Sequence, residues 1–345
     1  MSELPTRAEV RASTAAAKKP MSTTKKALIA ACSLLGVLVL AVAGVFLGIR
    51  HSIDSQIRHV QIDTEQSRPA PAQSAASGDD INFLILGSDS RQSGGDPTDW
   101  QAGAQRSDVM MLVQITGDRK GINIMSIPRD SWVDIPGHGT AKINAAYSYG
   151  GADLTIQTVQ QLTGVTVDHF MVTDFSSFEE LTDILGGVEI ASREDGVKTY
   201  TGEQALRFVR ERYSLPRGDF DRMRRQQAWM RAIMQKTFDQ EVLTDVPKLS
   251  SMLTALLEHS AVDQTLGFDS MLSLATELTA IRSGSVSFFT APFTGTGTSE
   301  DGQSIVNLDA ERLADLMAAW REDSVKNYLV THTDSIVLLG SDPVV

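Results

Sequence analysis

Cysteine is nearly absent from this 345-residue chain: Cys32 stands alone, so no disulfide can form within it. Net basic charge is absent too. The formal charge is −12, which argues against a nucleic-acid binder, because such domains carry a basic face. Neither a Walker loop, nor G-x-S-x-G, nor H-E-x-x-H occurs, and none of the six histidines has metal-ligand spacing. These gaps exclude the common nucleotide-binding, serine-hydrolase and zinc-hydrolase plans. There is no internal repeat. With 42% hydrophobic and 21% charged residues, the composition is that of a globular protein rather than a disordered one.

One long apolar run is present. Residues 27–49 are 23 residues without charge or proline, enough to span a hydrocarbon core of about 30 Å as a helix. Arg7, Arg11, Lys18, Lys19, Lys25 and Lys26 precede it, whereas only Arg50, Arg58 and Arg68 follow within the next thirty residues. The positive-inside rule places residues 1–26 in the cytoplasm and the remainder outside. A cleaved signal peptide is the rival reading, but its apolar region is usually about 7–15 residues. Residues 50–80 read as an extracytoplasmic linker. Their first part, 50–62, is expected to extend the anchor helix, and the Pro-, Ala- and Ser-rich 63–80 to form a tether. Residues 81–345 form one extracytoplasmic domain.

Within that domain apolar runs of strand length, 81–87, 109–115 and 121–127, are each bounded by Gly, Pro or Asp. The pattern predicts a helix over 153–162, a strand over 169–173 and a helix over 175–185. Thr201 and Gln204 spell a capping box that opens a further helix, broken by Pro216 and Gly218 and resumed over 220–238. Helices near 248–259 and 268–281, a strand over 286–290 and a helix over 308–320 complete the reading. Alternation of this kind implies α/β architecture: a central mixed sheet flanked by helices on both faces, preceded by one N-terminal transmembrane helix.

Charge chemistry collects at the strand ends. Asp89 and Arg91 follow the first run, Arg106 and Asp108 precede the second, and Arg129 and Asp130 follow the third, with Lys142 and Asn144 close behind. Two carboxylates at adjacent strand ends suit a Mg²⁺ that also takes phosphate oxygens; the plainer reading is a turn aspartate at each end. From Arg207 to Arg231 the chain packs eight arginines and no lysine into 25 residues. Arginine in preference to lysine points to bidentate recognition of phosphate or carboxylate. Arg222 and Gln226 share one helix face, with Arg225 beside them. A solvated basic face paired with Glu203, Asp219 and Asp221 is the alternative.

Five collinear blocks, 82–91, 106–115, 126–151, 168–190 and 202–227, resemble the LytR-CpsA-Psr family of membrane-anchored cell-wall phosphotransferases. The resemblance covers about 81–240 and fades beyond, leaving 241–345 as structural support. It implies transfer of a glycopolymer from a polyprenyl-pyrophosphate carrier to a peptidoglycan hydroxyl, with a phosphodiester formed. Carried over by position, Asp89 and Asp108 would hold Mg²⁺ or Mn²⁺. Arg91, Arg106, Arg129, Arg210, Arg212, Arg222 and Gln226 would clamp the pyrophosphate, with Lys142 and Asn144 in support. Arg129, Asp130 and Arg212 would stand at the reacting centre, Asp130 either orienting arginines or acting near the incoming hydroxyl. The polyprenyl tail would occupy an apolar slot between sheet and helices. One departure is the short stretch between Gly187 and Gly202, where many relatives carry a longer loop. A pyrophosphatase acting on the same lipid, or a non-catalytic regulator of wall assembly, are the competing readings. Teichoic acid, capsule and arabinogalactan are each compatible as the polymer.

Overall fold

The computed structural model describes residues 50–51, 54, 57–62, 80–88, 109–211, 215–216, 219–239, 242, 245–332, 336 and 343–345. The chain divides into two units, Met1–His51 and Ser52–Val345. The first lies almost wholly outside the described residues, as does the apolar run at 27–49. Among the described residues no helix is long and apolar enough to cross a membrane.

The second unit is built on a seven-stranded mixed sheet. In chain order its strands are β1 (Arg58–Val60), β2 (Ile81–Ser88), β3 (Val109–Ile115), β4 (Ile122–Ile127), β7 (His169–Asp174), β10 (Ser260–Asp263) and β11 (Val286–Thr290). Their spatial order is β1-β10-β7-β2-β3-β4-β11. Three hairpins lie outside it: β5 (Trp132–Ile135) with β6 (Gly139–Lys142), β8 (Val188–Ser192) with β9 (Gly196–Tyr200), and β12 (Phe293–Thr298) with β13 (Ser304–Leu308). The helices are α1 (Ala145–Thr163), α2 (Phe175–Ile184), α3 (Gly202–Arg210), α4 (Asp219–Asp239), α5 (Val246–Glu258), α6 (Phe268–Glu277), α7 (Ala310–Arg321) and α8 (Val325–Thr331).

The central strands are apolar on both sides because both sheet faces are covered. Leu84, Leu86, Met110, Leu112, Met125 and Ile127 point to one face, where α1, α7 and α8 pack. The alternate residues Val109, Met111, Ile115, Ile122 and Ile124 point to the other, under α2 to α5. Helices therefore do cover both faces, as the alternation predicts.

A polar row interrupts the first face. Asn82, Gln114 and Asn123 are cross-strand partners on β2, β3 and β4. Asn123 donates to Gln114 (2.9 Å), Gln114 donates to the Trp320 carbonyl (2.7 Å), and the Trp320 indole donates to Asn82 (2.9 Å). Buried amides with satisfied partners fix where α7 sits along the sheet.

Several elements differ from the sequence reading. Residues 58–60, expected to prolong a helix, form β1 and lie parallel to β10. The helix expected from 153 begins at 145, because two segments meet at a kink: Gly150 and Gly151 leave helical geometry there, Gly151 at φ 63°, ψ −147°. The short stretch before Gly202 is filled by the β8–β9 hairpin. Within 241–345, β11 is the strand expected over 286–290, whereas β10 is a strand the sequence reading did not mark.

Candidate functional site

Registers decide which chain ends meet. β2, β4, β7 and β11 run in one direction and β3 in the other, so Ser88, Ile127, Asp174 and Thr290 end, and Val109 starts, at a single sheet edge. In open α/β sheets the carboxyl ends of strands are where ligands gather. Asp89 and Asp108 flank Ser88 and Val109 in sequence; like Arg91, Arg106 and Arg212, they lie outside the described residues.

At this edge Pro128 stops β4, having no N–H to continue the ladder. The chain turns, with the Ser131 N–H donating to the Pro128 carbonyl at 2.9 Å. The backbone of the turn is tied on both sides. Asn144 N–H donates to the Arg129 carbonyl (3.2 Å), Ile143 N–H to the Ser131 carbonyl (2.8 Å), and Val306 N–H to the Asp130 carbonyl (2.9 Å). The β5–β6 hairpin then brings Lys142 opposite Trp132 and back beside the turn. Lys142 Nζ lies 3.0 Å from Asp130 Oδ1, and Arg129 Nε lies 3.6 Å from Asp130 Oδ2. The first is a close ion pair; the second is an ionic contact beyond good hydrogen-bond length. Among the described residues two cations thus meet at one partly exposed carboxylate. Asn144 is buried at the start of α1, and its backbone rather than its side chain serves the turn. Close by in sequence, burial pushes the Tyr147 hydroxyl up to about 12, which keeps it neutral.

The second arginine group lies on α3 and α4. The capping box forms as the sequence predicts: Gln204 N–H donates to Thr201 Oγ1 and Thr201 N–H to Gln204 Oε1. α3 ends at Arg210, which is half-buried, and α4 carries Arg222 with Gln226 buried one turn later. The surface-pair alternative holds for Arg207, whose partner Glu203 is 3.4 Å away with both side chains exposed. Arg225 has a different task. It donates to the Phe208 carbonyl (3.0 Å) and to the Val345 backbone oxygen, with its guanidinium 4.0 Å from the centre of the Phe208 ring. That joins α3, α4 and the last residues. Sequence reasoning passed over two neighbours: Arg224 Nε and Gln227 Nε2 are buried donors without a hydrogen-bond partner among the described residues. The Gln226–Gln227 doublet was their signal, though pattern alone does not say which amide turns inward.

A group able to hold a metal among the described residues is Glu180 on α2 with Glu258 and His259 at the end of α5, where His259 Nε2 and Glu180 Oε1 are 3.1 Å apart.

Similarity to known proteins covers much of the chain. It is 30% identical to the cell wall biosynthesis protein LcpA of Corynebacterium glutamicum over 281 residues, 67% of this chain and 54% of LcpA, so it spans about half the length of that relative. It is 29% identical over 322 residues to a polyisoprenyl-teichoic acid–peptidoglycan teichoic acid transferase, TagU of Enterococcus faecalis, covering 90% of this chain and 100% of TagU. The solved structure of TagT bound to LI-WTA superposes with a TM-score of 0.58 at 25% identity, covering 78% of this chain and 100% of TagT. The profile of the LytR_cpsA_psr family matches residues 48–322, reaching well past residue 240 and taking in β1, β10 and β11. With that match across most of its length, the chain belongs to the LytR_cpsA_psr family.

Proposed function

We propose that the chain transfers a glycopolymer from a polyprenyl-pyrophosphate carrier onto a peptidoglycan sugar hydroxyl. The hydroxyl oxygen forms a bond to the phosphorus that carries the polymer, the bridging P–O bond breaks, the hydroxyl proton passes to the leaving phosphate or to solvent, and polyprenyl phosphate leaves. The observation that carries this reading is the Arg129–Asp130–Lys142 cluster, clamped at the sheet edge toward which β2 and β3 direct the segments holding Asp89 and Asp108. The relatives named for teichoic acid transfer support it. Phosphoryl transfer asks a protein for positioning and charge neutralisation more than for a covalent catalyst.

In this reading Arg129 and Lys142 face the pyrophosphate oxygens, and Asp130, engaged by both cations, positions them. Arg91, Arg106, Arg210, Arg212, Arg222 and Gln226 complete the clamp, with Asn144 holding the turn. The buried donors of Arg224 and Gln227 fit an anion, because a site with surplus N–H groups has no use for a second donor. Asp89 and Asp108 would hold Mg²⁺; hard carboxylate oxygens that leave room for phosphate suit that ion. When bound, Mg²⁺ would offset charge developing on the leaving phosphate. Residues 27–49 would anchor the chain, with 1–26 inside the cell. Support comes from β1, whose first residue Arg58 enters the sheet at the edge that carries Arg129 and Asp130, because β1 lies parallel to β10 and Ser260 pairs with Thr173.

The test is acceptor dependence. The full chain with Mg²⁺, a polyprenyl-pyrophosphate saccharide and peptidoglycan oligomers should place the saccharide on the glycan. Arg129→Ala and Arg212→Ala should each lower that rate by about 10²-fold or more. Release of polyprenyl phosphate at the same rate without acceptor would replace transfer by hydrolysis. Unaltered wall assembly in cells carrying both variants would favour the regulator.

A further inference from the structure

Three tryptophans fall among the described residues, and they are not alike. Trp229 and Trp320 are fully buried, and each indole N–H has a partner: Thr182 Oγ1 at 2.8 Å and Asn82 Oδ1 at 2.9 Å. Trp132 is half-buried, and its indole N–H has no protein partner among the described residues. A buried tryptophan normally satisfies its N–H, and one left half in solvent offers both a flat apolar face and a donor to something else.

Trp132 is among the residues that line a groove of about 510 Å³ between the β5–β6 hairpin, the end of α1, β13 and α7. The size is in the range of sites that take a short oligosaccharide or another small molecule. The floor is apolar, with Leu308, Leu313 and Met317. The exposed polar lining residues are Asp134, Gln161, Asn307 and Arg321. Gln161 already donates to Asp134 at 3.0 Å, and Arg321 reaches the Thr163 carbonyl at 3.4 Å, so two of the rim groups are held in place.

The groove adjoins the ionic cluster. Trp132 and Lys142 are directly opposite across the hairpin, so their side chains stand on one face. Lys142 in turn holds Asp130. Asn307 follows Val306, whose N–H donates to the Asp130 carbonyl.

We propose that this groove binds the acceptor: a stretch of peptidoglycan glycan strand, a chain of N-acetylated hexosamines, with one sugar face stacked on Trp132. The inference rests on the transfer reading above and gives the second substrate its place. Sugar rings carry a C–H face that suits an indole and a belt of hydroxyls that suits a rim of planar amides and charges. An acetamido group matches the remainder. Its carbonyl accepts from Asn307, Gln161 or Arg321, its N–H donates to Asp134, and its methyl lies on the leucine floor. A hydrocarbon tail would have no use for four polar rim groups. A polyanionic donor polymer would meet Asp134 on the rim of a protein of charge −12.

The experiment titrates the full chain with a lipid-free tetrasaccharide from peptidoglycan and, separately, with polyprenyl pyrophosphate, by calorimetry. Trp132→Ala should weaken the tetrasaccharide by about tenfold, while Trp132→Phe keeps most of the affinity. Asn307→Ala, at an exposed position, should weaken it severalfold with an unchanged melting temperature, and serves if Trp132→Ala fails to fold. Polyprenyl-pyrophosphate affinity should fall in Arg129→Ala and stay constant in the groove variants. Tetrasaccharide binding as tight in Trp132→Ala and Asn307→Ala as in the parent chain overturns the groove and leaves transfer standing. A teichoic acid repeat that displaces the tetrasaccharide from Trp132 assigns the groove to the donor and also overturns the proposal. Glycan binding that depends on Trp132, with no binding of polyprenyl pyrophosphate, overturns the transfer reading and keeps the groove.

Discussion

Asp263 is a buried carboxylate held by several donors at the end of β10. Burial alone would raise its pKa, yet hydrogen bonds from His169 and Thr265 and from the Phe170 and Thr265 N–H groups outweigh burial and hold it below its ordinary 3.8. A carboxyl whose folded pKa is depressed stabilises the fold at every pH above its unfolded value, and the contribution fades as pH falls through the lower folded value. In urea titrations Asp263→Asn should be less stable than the parent by about 1–3 kcal/mol at neutral pH, the gap narrowing only below about pH 4. A gap already closing near neutrality would refute the assignment. Asp263 was not legible in the sequence, because its partners come from β7 and from its own turn. That Arg129, Asp130 and Lys142 come together was legible, because they are close in sequence and a proline ends the strand before them. Arg225 shows the limit of such reading. It sits among arginines suited to anions, but its bonds to the Phe208 carbonyl and the Val345 backbone oxygen make it a strut, and neither partner is close to it in sequence.

Long periodic elements were readable at their scale, and short ones were not. The apolar runs became β2, β3 and β4 because strands buried on both faces leave an unbroken pattern. β5, β6, β8 and β9 have four or five residues each, too few for a period to announce them. The reading of a helix from 153 found the second segment of α1 and missed the first, because Gly150 and Gly151 look like a boundary. Gly151 at φ 63° and ψ −147° occupies a region open in practice to glycine alone. Gly151→Ala should cost about 1–3 kcal/mol in thermal or urea unfolding. A neutral result would mean that the two segments can straighten into one helix.

Across the whole molecule, protection should follow position in the sheet. Native-state hydrogen exchange should be slowest in β2 and β3, each paired on both sides, and fastest in β1, which has three residues and one neighbour. Exchange in β1 as slow as in β3 would contradict an edge placement. β1 escaped the sequence reading because a strand of three residues just after an apolar run looks like the tail of a helix. Its position has a mechanical consequence. Tension entering β1 from its N-terminal side would load its three residue pairs with β10 before any other strand pairing of the sheet. That short seam would part before force reached β2, β3 and β4, and the turn at Pro128 to Asp130 would keep its shape.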